Sequence, residues 1–390
     1  MTNTASVREV RLDALRITPA TIWIFLRLID ENGLLATGEA TLPKDEARVA
    51  QAAARLLPNL IGADASPSGI AQGLPGNDLG EAALRSAADL AAFDLEGQRA
   101  GKALSELLGE SRRTNIPVYA NINRRSVART PEAFAESARL ALETGHQTFK
   151  LAPFDEVTLE ACAAGDLLRL IEPGLERIRA VRETIGAGHQ LRIDCHWRFD
   201  PAAAETMIDA CTPFAPDLIE CPIAERVETI GAITRLRTQA NRSDIRLAGL
   251  EMGVGVESFE PFLEAGAYDV IMPDVKYVGG LDIFVRLAER VEAHGALVSP
   301  HNPTGPVCHA ASLHIAAVLP AFDSLEMQFD ETPLFAQLAG SLKLALGDGC
   351  LTPTWHRAGL GVRLDQELIA AHRLDQLSQH YGEIAPEEKA

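Results

Sequence analysis

The sequence predicts the α/β class: a TIM-like (β/α) barrel preceded by a small α+β domain. Three observations carry this. After Pro117, short apolar runs without strict period-2 alternation are each followed by a helical pattern, which is how buried parallel strands and crossover helices read. Eight such runs occur, at 118–121, 148–151, 191–194, 218–220, 247–250, 270–272, 297–299 and 324–327, and from the third onward they recur roughly every 23 to 31 residues. Almost every run ends at a polar or ionisable residue, namely Lys150, Asp194 with His196, Glu220, Glu251, Asp274, His301 and Glu326. In a parallel barrel those ends share one mouth.

Ahead of the barrel, residues 7–17 and 21–30 favour strands, and Glu31-Asn32-Gly33 makes a turn into a third strand ending at Glu39. Helical patterns follow at 44–57 and 79–99, where Ala83, Leu84, Ala87, Leu90, Ala91 and Leu95 recur at helical spacing. These place an α+β domain at 1–115 and the barrel at 116–355. The long gap before the third barrel strand includes 155–168, read as an inserted loop with an extra helix. The segment 356–390 is expected to hold a helix that returns to the first domain.

A chain of 390 residues, 47% hydrophobic, can bury a large core and exceeds one compact unit. Its formal net charge of -18 opposes phosphate backbones and anionic lipid, so neither nucleic acid nor a membrane is an expected partner. A small anionic substrate must then meet a local positive centre, for which a metal ion would serve. The six cysteines lack a CxxC pair and read as reduced thiols. The N-terminus has no apolar leader core, and no apolar run approaches the roughly 20 residues of a membrane span, so a cytoplasmic location is expected.

Asp194, Glu220 and Glu251 end three consecutive strands. Brought together, three carboxylates cannot all ionise without a cation, and oxygen-only ligands favour a hard ion such as Mg²⁺. The alternative for each acid is a solvated or lysine-paired strand end. Asp274 and His301 end adjacent strands, where a carboxylate could fix one imidazole tautomer and raise its basicity, as a general base requires. HExxH and HxxxH zinc patterns are absent.

From end to end the chain resembles the mandelate racemase-like group of the enolase superfamily. The resemblance rests on Ala87-Ala88-Asp89-Leu90-Ala91-Ala92-Phe93-Asp94-Leu95-Glu96-Gly97 with Leu107-Leu108-Gly109, on Ile219-Glu220-Cys221-Pro222, and on Met272-Pro273-Asp274 with Gly279-Gly280. It implies a (β/α)7β barrel with an N-terminal α+β capping domain, Mg²⁺ on Asp194, Glu220 and Glu251, an Asp274–His301 base, and Glu326 beside the enolate oxygen. Asp194-Cys195-His196-Trp197-Arg198, with Phe149-Lys150-Leu151, is most similar to acid-sugar dehydratases of the D-galactonate type. That similarity makes His196 the acid that expels the 3-hydroxyl, or else a hydrogen-bonding partner of a metal ligand.

The resemblance implies a homo-oligomeric lyase acting on a small carboxylate. Lys150 either binds the substrate carboxylate or pairs with an acid of the metal site. Trp197, Arg198, Lys276 and Asn302 are candidate substrate contacts, Arg198 and Lys276 alternatively being structural ion pairs. Departures are Lys150-Leu151-Ala152 where racemases carry Lys-x-Lys, Cys221 in the usual Glu-Glu-Pro, and Leu250 in place of Gly before Glu251. The loop expected to cover the mouth shrinks to Thr18-Pro19-Ala20, so closure by 153–168, by the turn at 74–77 or by another subunit is expected. A racemase, epimerase or lactone cycloisomerase, a non-catalytic carboxylate-binding barrel and a Schiff-base aldolase on Lys150 are the rival functions.

Overall fold

The computed structural model describes residues 5–340, 342, 344–353 and 357–383. Three antiparallel strands open the fold: β1 (Val7–Arg16), β2 (Ile22–Asp30) and β3 (Leu35–Glu39). Val10, Leu12 and Ala14 alternate onto the same buried face as Ile24, Leu26 and Leu28, and that face packs on the alanine-rich helix Leu79–Ala100. The approach is close enough that a Cβ on Gly38 would lie 1.8 Å from the Ala87 carbonyl oxygen, so only glycine fits there.

Eight parallel strands follow: β4 (Ile116–Asn121), β5 (Thr148–Leu151), β6 (Gln190–Asp194), β7 (Leu218–Glu220), β8 (Arg246–Gly249), β9 (Val270–Ile271), β10 (Leu297–Val298) and β11 (Leu325–Gln328). They neighbour one another in sequence order, and β11 returns to β4 with Leu325 opposite Val118. Between β10 and β11 the pairing reduces to a parallel bridge at Val298 and Phe322. Each expected run falls on a strand to within two residues. Arg192, two residues below Asp194, plugs the barrel interior: its guanidinium lies 4.5 Å from the Tyr119 ring centre and donates to Asp323 at 2.8 Å.

Beyond the barrel, β12 (Leu344–Gly347) and β13 (Cys350–Pro353) form a hairpin that extends β4 at its start. After the helix Gln366–His372, β14 (Gln379–Gly382) pairs antiparallel with β1. The returning tail was expected as a helix alone; the edge strand adds to it. Residue 356 and residues 384–390 of that expected segment lie outside the described residues. No described helix is long and apolar enough to cross a membrane.

The helix Leu79–Ala100 also ties the cap to the barrel. Asp89 accepts from the Leu281 amide at 2.8 Å, Ser86 from the Gly279 amide at 2.9 Å, and Asp94 from the Leu360 amide at 2.8 Å. Burial pushes the Asp89 carboxyl up to about 7 and that of Asp94 to about 6, from near 3.8. Both groups bind protons more tightly folded than unfolded, so between about pH 4 and 7 their contribution to stability falls as pH rises. Asp89→Asn keeps an acceptor for Leu281 without the charge. It is expected to melt above the parent at pH 8 and alongside it at pH 4; an equal shift at both pH values in calorimetry would remove this assignment.

Candidate active site

The C-terminal ends of the barrel strands open into a cleft of about 690 Å³, whose lining includes Lys150, Asp194, His196, Trp197, Glu251 and His301. Chain geometry at the strand ends is unusual. His196 (φ 47°), Trp197 (φ 56°), Cys221 (φ 47°) and Leu250 (φ 73°) all adopt left-handed backbone: Cys221 directly follows Glu220, Leu250 directly precedes Glu251, and His196 and Trp197 lie in the turn after Asp194. Non-glycine residues there cost about 1–3 kcal/mol each and persist only where surrounding contacts enforce them.

Lys150 centres the acids. Its Nζ lies 2.8 Å from Glu220, 2.8 Å from Glu326 and 3.4 Å from Asp194, and the side chain is buried. Burial opposes the ammonium, but these carboxylates outweigh it and raise its pKa, so the amine stays protonated. A Schiff-base role for Lys150 needs the opposite.

One lysine does not balance the cluster. Burial, then the charge of Asp194, pushes Glu220 up to about 7; burial, then Glu220 and Asp194, pushes Glu251 well above the carboxylate range. Glu326 falls to about 2 because Lys150 and His301 outweigh its burial. Oε2 of Glu251 is buried without a hydrogen-bond partner. Ligand atoms of Glu220, Cys221 and Glu251 lie within 4.8 Å of one another. Hard oxygen donors, surplus negative charge and an orphaned buried oxygen fit a divalent cation. Asp194 stands beside Glu220 in strand register, with its Oδ2 3.0 Å from His196 Nε2 and 3.4 Å from Lys150.

Across the mouth, His301 Nδ1 lies 2.7 Å from Asp274 Oδ2, and Nε2 lies 3.4 Å from Glu251 Oε2. Asp274 is fully buried, yet Lys276 and His301 outweigh the burial and hold it below the usual carboxylate range. An ionised Asp274 accepts from Nδ1–H, which leaves the Nε2 lone pair facing the cleft. The loop carrying His301 is fixed by Glu39 of β3, which accepts from Thr304 Oγ1 at 2.6 Å, Gly305 N at 2.8 Å and Cys308 N at 2.9 Å. Glu39 thereby caps the helix Pro306–Val318 with a negative charge, as the positive end of its dipole favours.

His196 presents the second imidazole, its side chain 45% exposed. Asp194 raises its pKa, against partial burial, so it favours the protonated form. Since β6 and β10 are four strands apart in a ring of eight, His196 and His301 face each other from opposite sides of the mouth.

Two family models match the chain: Enolase C-terminal domain-like over residues 133–368, and Mandelate racemase / muconate lactonizing enzyme, N-terminal domain, over residues 13–109. The chain belongs to the enolase superfamily. Among relatives, a D-galactonate dehydratase of Ralstonia pickettii (strain 12J) is 26% identical over 93% of this chain and 94% of its own length. A D-gluconate dehydratase of Thermoproteus tenax is 28% identical over 76% of this chain, a match spanning only 58% of that protein. An enolase protein from the Sargasso Sea environmental genome sequencing has a solved structure that superposes with a TM-score of 0.80, at 26% identity, covering 98% of this chain and all of that one.

In this superfamily member several expected substrate contacts are structural instead. Lys276 is buried with Nζ 2.6 Å from Asp274, so it stands behind the imidazole rather than in the cleft. Asn302 is buried too, bonded to the Glu326 backbone, His309 and Ser312. Arg198 donates to the backbone oxygens of Asp155 and Val157, both at 3.0 Å, and so pins the inserted loop. Trp197 does line the cleft.

Neither the inserted segment nor the turn at 74–77 lines the cleft. Residues 18–22 and 42–44 of the cap do, with Arg124 and Glu331 joined at 2.9 Å beneath them. Sequence reasoning missed Asn121, which donates to Glu326 at 2.7 Å, although it too ends a barrel strand and carried the same signal. It also missed Glu225, which lies in a loop and carried none.

Proposed function

We propose that the chain is a Mg²⁺-dependent dehydratase of an aldonic or related hydroxy-acid. The observation that carries this reading is the pair of imidazoles on opposite sides of the mouth, one bonded through Nδ1 to the buried Asp274 and the other beside Asp194, with the buried acids between them. The names of the dehydratase relatives support the substrate class. Bound by Asp194, Glu220 and Glu251, Mg²⁺ would hold the substrate carboxylate and offset the charge that develops there. His301 Nε2 takes the C2 proton while Asp274 steadies the imidazolium. Lys150 and Glu326, fixed at 2.8 Å from each other, stand beside the carboxylate as the charge grows. His196 gives its proton to the departing C3 hydroxyl, which leaves as water, and the enol relaxes to a 2-keto-3-deoxy acid.

The test is a panel of aldonic acids incubated with Mg²⁺ or with EDTA and scored for 2-keto acid. Keto acid formed only with Mg²⁺ is expected. Deuterium exchange at C2 with no keto acid from any member would replace the reading with a racemase or epimerase, and no exchange at all would favour a binding protein. His196→Asn is expected to lower keto-acid formation by about 10²–10⁴-fold while C2 exchange persists. Undiminished turnover would dismiss His196 as the acid.

A further inference from the structure

Glu225 lies outside the strand-end set, yet three of the strained turns converge on it. It follows β7 in the loop, and its Oε1 accepts from the Leu250 amide at 2.6 Å and from Tyr268 Oη at 2.8 Å, while Oε2 accepts from Trp197 Nε1 at 2.9 Å. Cys221 Sγ is 3.9 Å from Oε1. Leu250, Trp197 and Cys221 are three of the residues in left-handed backbone, and they adjoin Glu251, the Asp194 turn and Glu220 respectively. The backbone also makes room for this carboxylate: a Cβ on Gly249 would fall 2.2 Å from Oε1 and 2.7 Å from the Tyr268 ring.

We infer that Glu225 is a positioning residue that clamps the three turns and thereby sets the separation of the carboxylates of Asp194, Glu220 and Glu251. A leucine at φ 73° has no preference for that conformation. The amide hydrogen bond to Glu225 holds it there, and with it the direction in which Glu251 leaves the strand. Carried by the loop after β7 and engaged by donors from the turns after β6 and β8, with Tyr268 ahead of β9 as a further donor, one carboxylate links the ligand-bearing strand ends into one rigid unit. Outer partners of this kind typically change metal affinity by about 10–100-fold when removed.

The inference rests on the metal reading above, and the test separates the two. Mn²⁺ binding to the intact chain is titrated by electron paramagnetic resonance for the parent, Glu225→Gln, Gly249→Ala, and Glu225→Gln combined with Leu250→Gly. Glutamine sets an amide NH₂ against at least one donor, and Gly249→Ala displaces the carboxylate without altering it. Both single variants are expected to bind Mn²⁺ about 10–100-fold more weakly. Leu250→Gly, which takes positive φ freely, is expected to restore part of the affinity lost in Glu225→Gln. Should Glu225→Gln not fold, Gly249→Ala with and without Leu250→Gly carries the same comparison. Parent-like affinity in the folded single variants, or no recovery in the double variant, overturns the positioning role alone. A parent that binds no Mn²⁺ overturns the metal reading.

Discussion

His301→Asn is expected to lower deuterium exchange at C2 of any accepted acid by about 10²–10⁴-fold, with Mn²⁺ affinity close to that of the parent. The imidazole's Nε2 lies beside Glu251, and Asp274 fixes the ring through Nδ1. Asparagine can still donate toward Asp274, so the buried carboxylate keeps a partner besides Lys276 at 2.6 Å. Loss of exchange together with loss of the metal would mean that the substitution disturbs the cluster rather than the base. Retained exchange would remove His301 from the chemistry.

Lys150→Met is expected to have the largest effect on stability. Removing the ammonium leaves Asp194, Glu220 and Glu326 buried without their shared counter-charge, and breaking a buried ion network of this kind costs about 3–5 kcal/mol. The sign with pH follows from Glu220, which sits at about 7 even with the lysine present. A carboxyl whose folded pKa is raised contributes most below its unfolded value and loses that contribution as pH rises, so the loss is larger at pH 8 than at pH 5. A divalent cation bound by Asp194 and Glu220 together with Glu251 is expected to return part of it. Urea unfolding in EDTA and in Mg²⁺ at the two pH values checks this; a deficit independent of both pH and Mg²⁺ would show that Lys150 acts through packing alone.

The barrel was legible because its strands are short apolar runs, and the acids were legible because each sits at the end of such a run, where the fold fixes direction. Legibility stopped where orientation depends on distant neighbours. Lys276 and Asn302 lie within two residues of cleft groups, but their side chains turn into the wall, toward Asp274 and Glu326. Arg198 follows a cleft residue yet reaches the inserted loop, which one sequence cannot reveal without the path of that loop. The strand β14, with Gln379, His380 and Tyr381 only half-buried or exposed, has too weak an apolar pattern to be read as an edge strand. Leu250 was visible as a departure from glycine, but its positive φ and its tie to Glu225 exist only in three dimensions.

The acid-only pattern also concealed a detail of the cluster. Cys221 brings its sulfur as near to Glu220 and Glu251 as a ligand would come, while Asp194 engages His196 and Lys150. Magnesium favours oxygen over sulfur, so occupation by a hard ion should draw Asp194 in and leave the thiol aside. Anomalous scattering from a crystal of this chain grown with Mn²⁺ reads the outcome directly. The account predicts one peak bounded by oxygens of Asp194, Glu220 and Glu251, with His301 Nε2 facing it across the cleft; a peak on Cys221 without Asp194, or no peak among these acids, would contradict it.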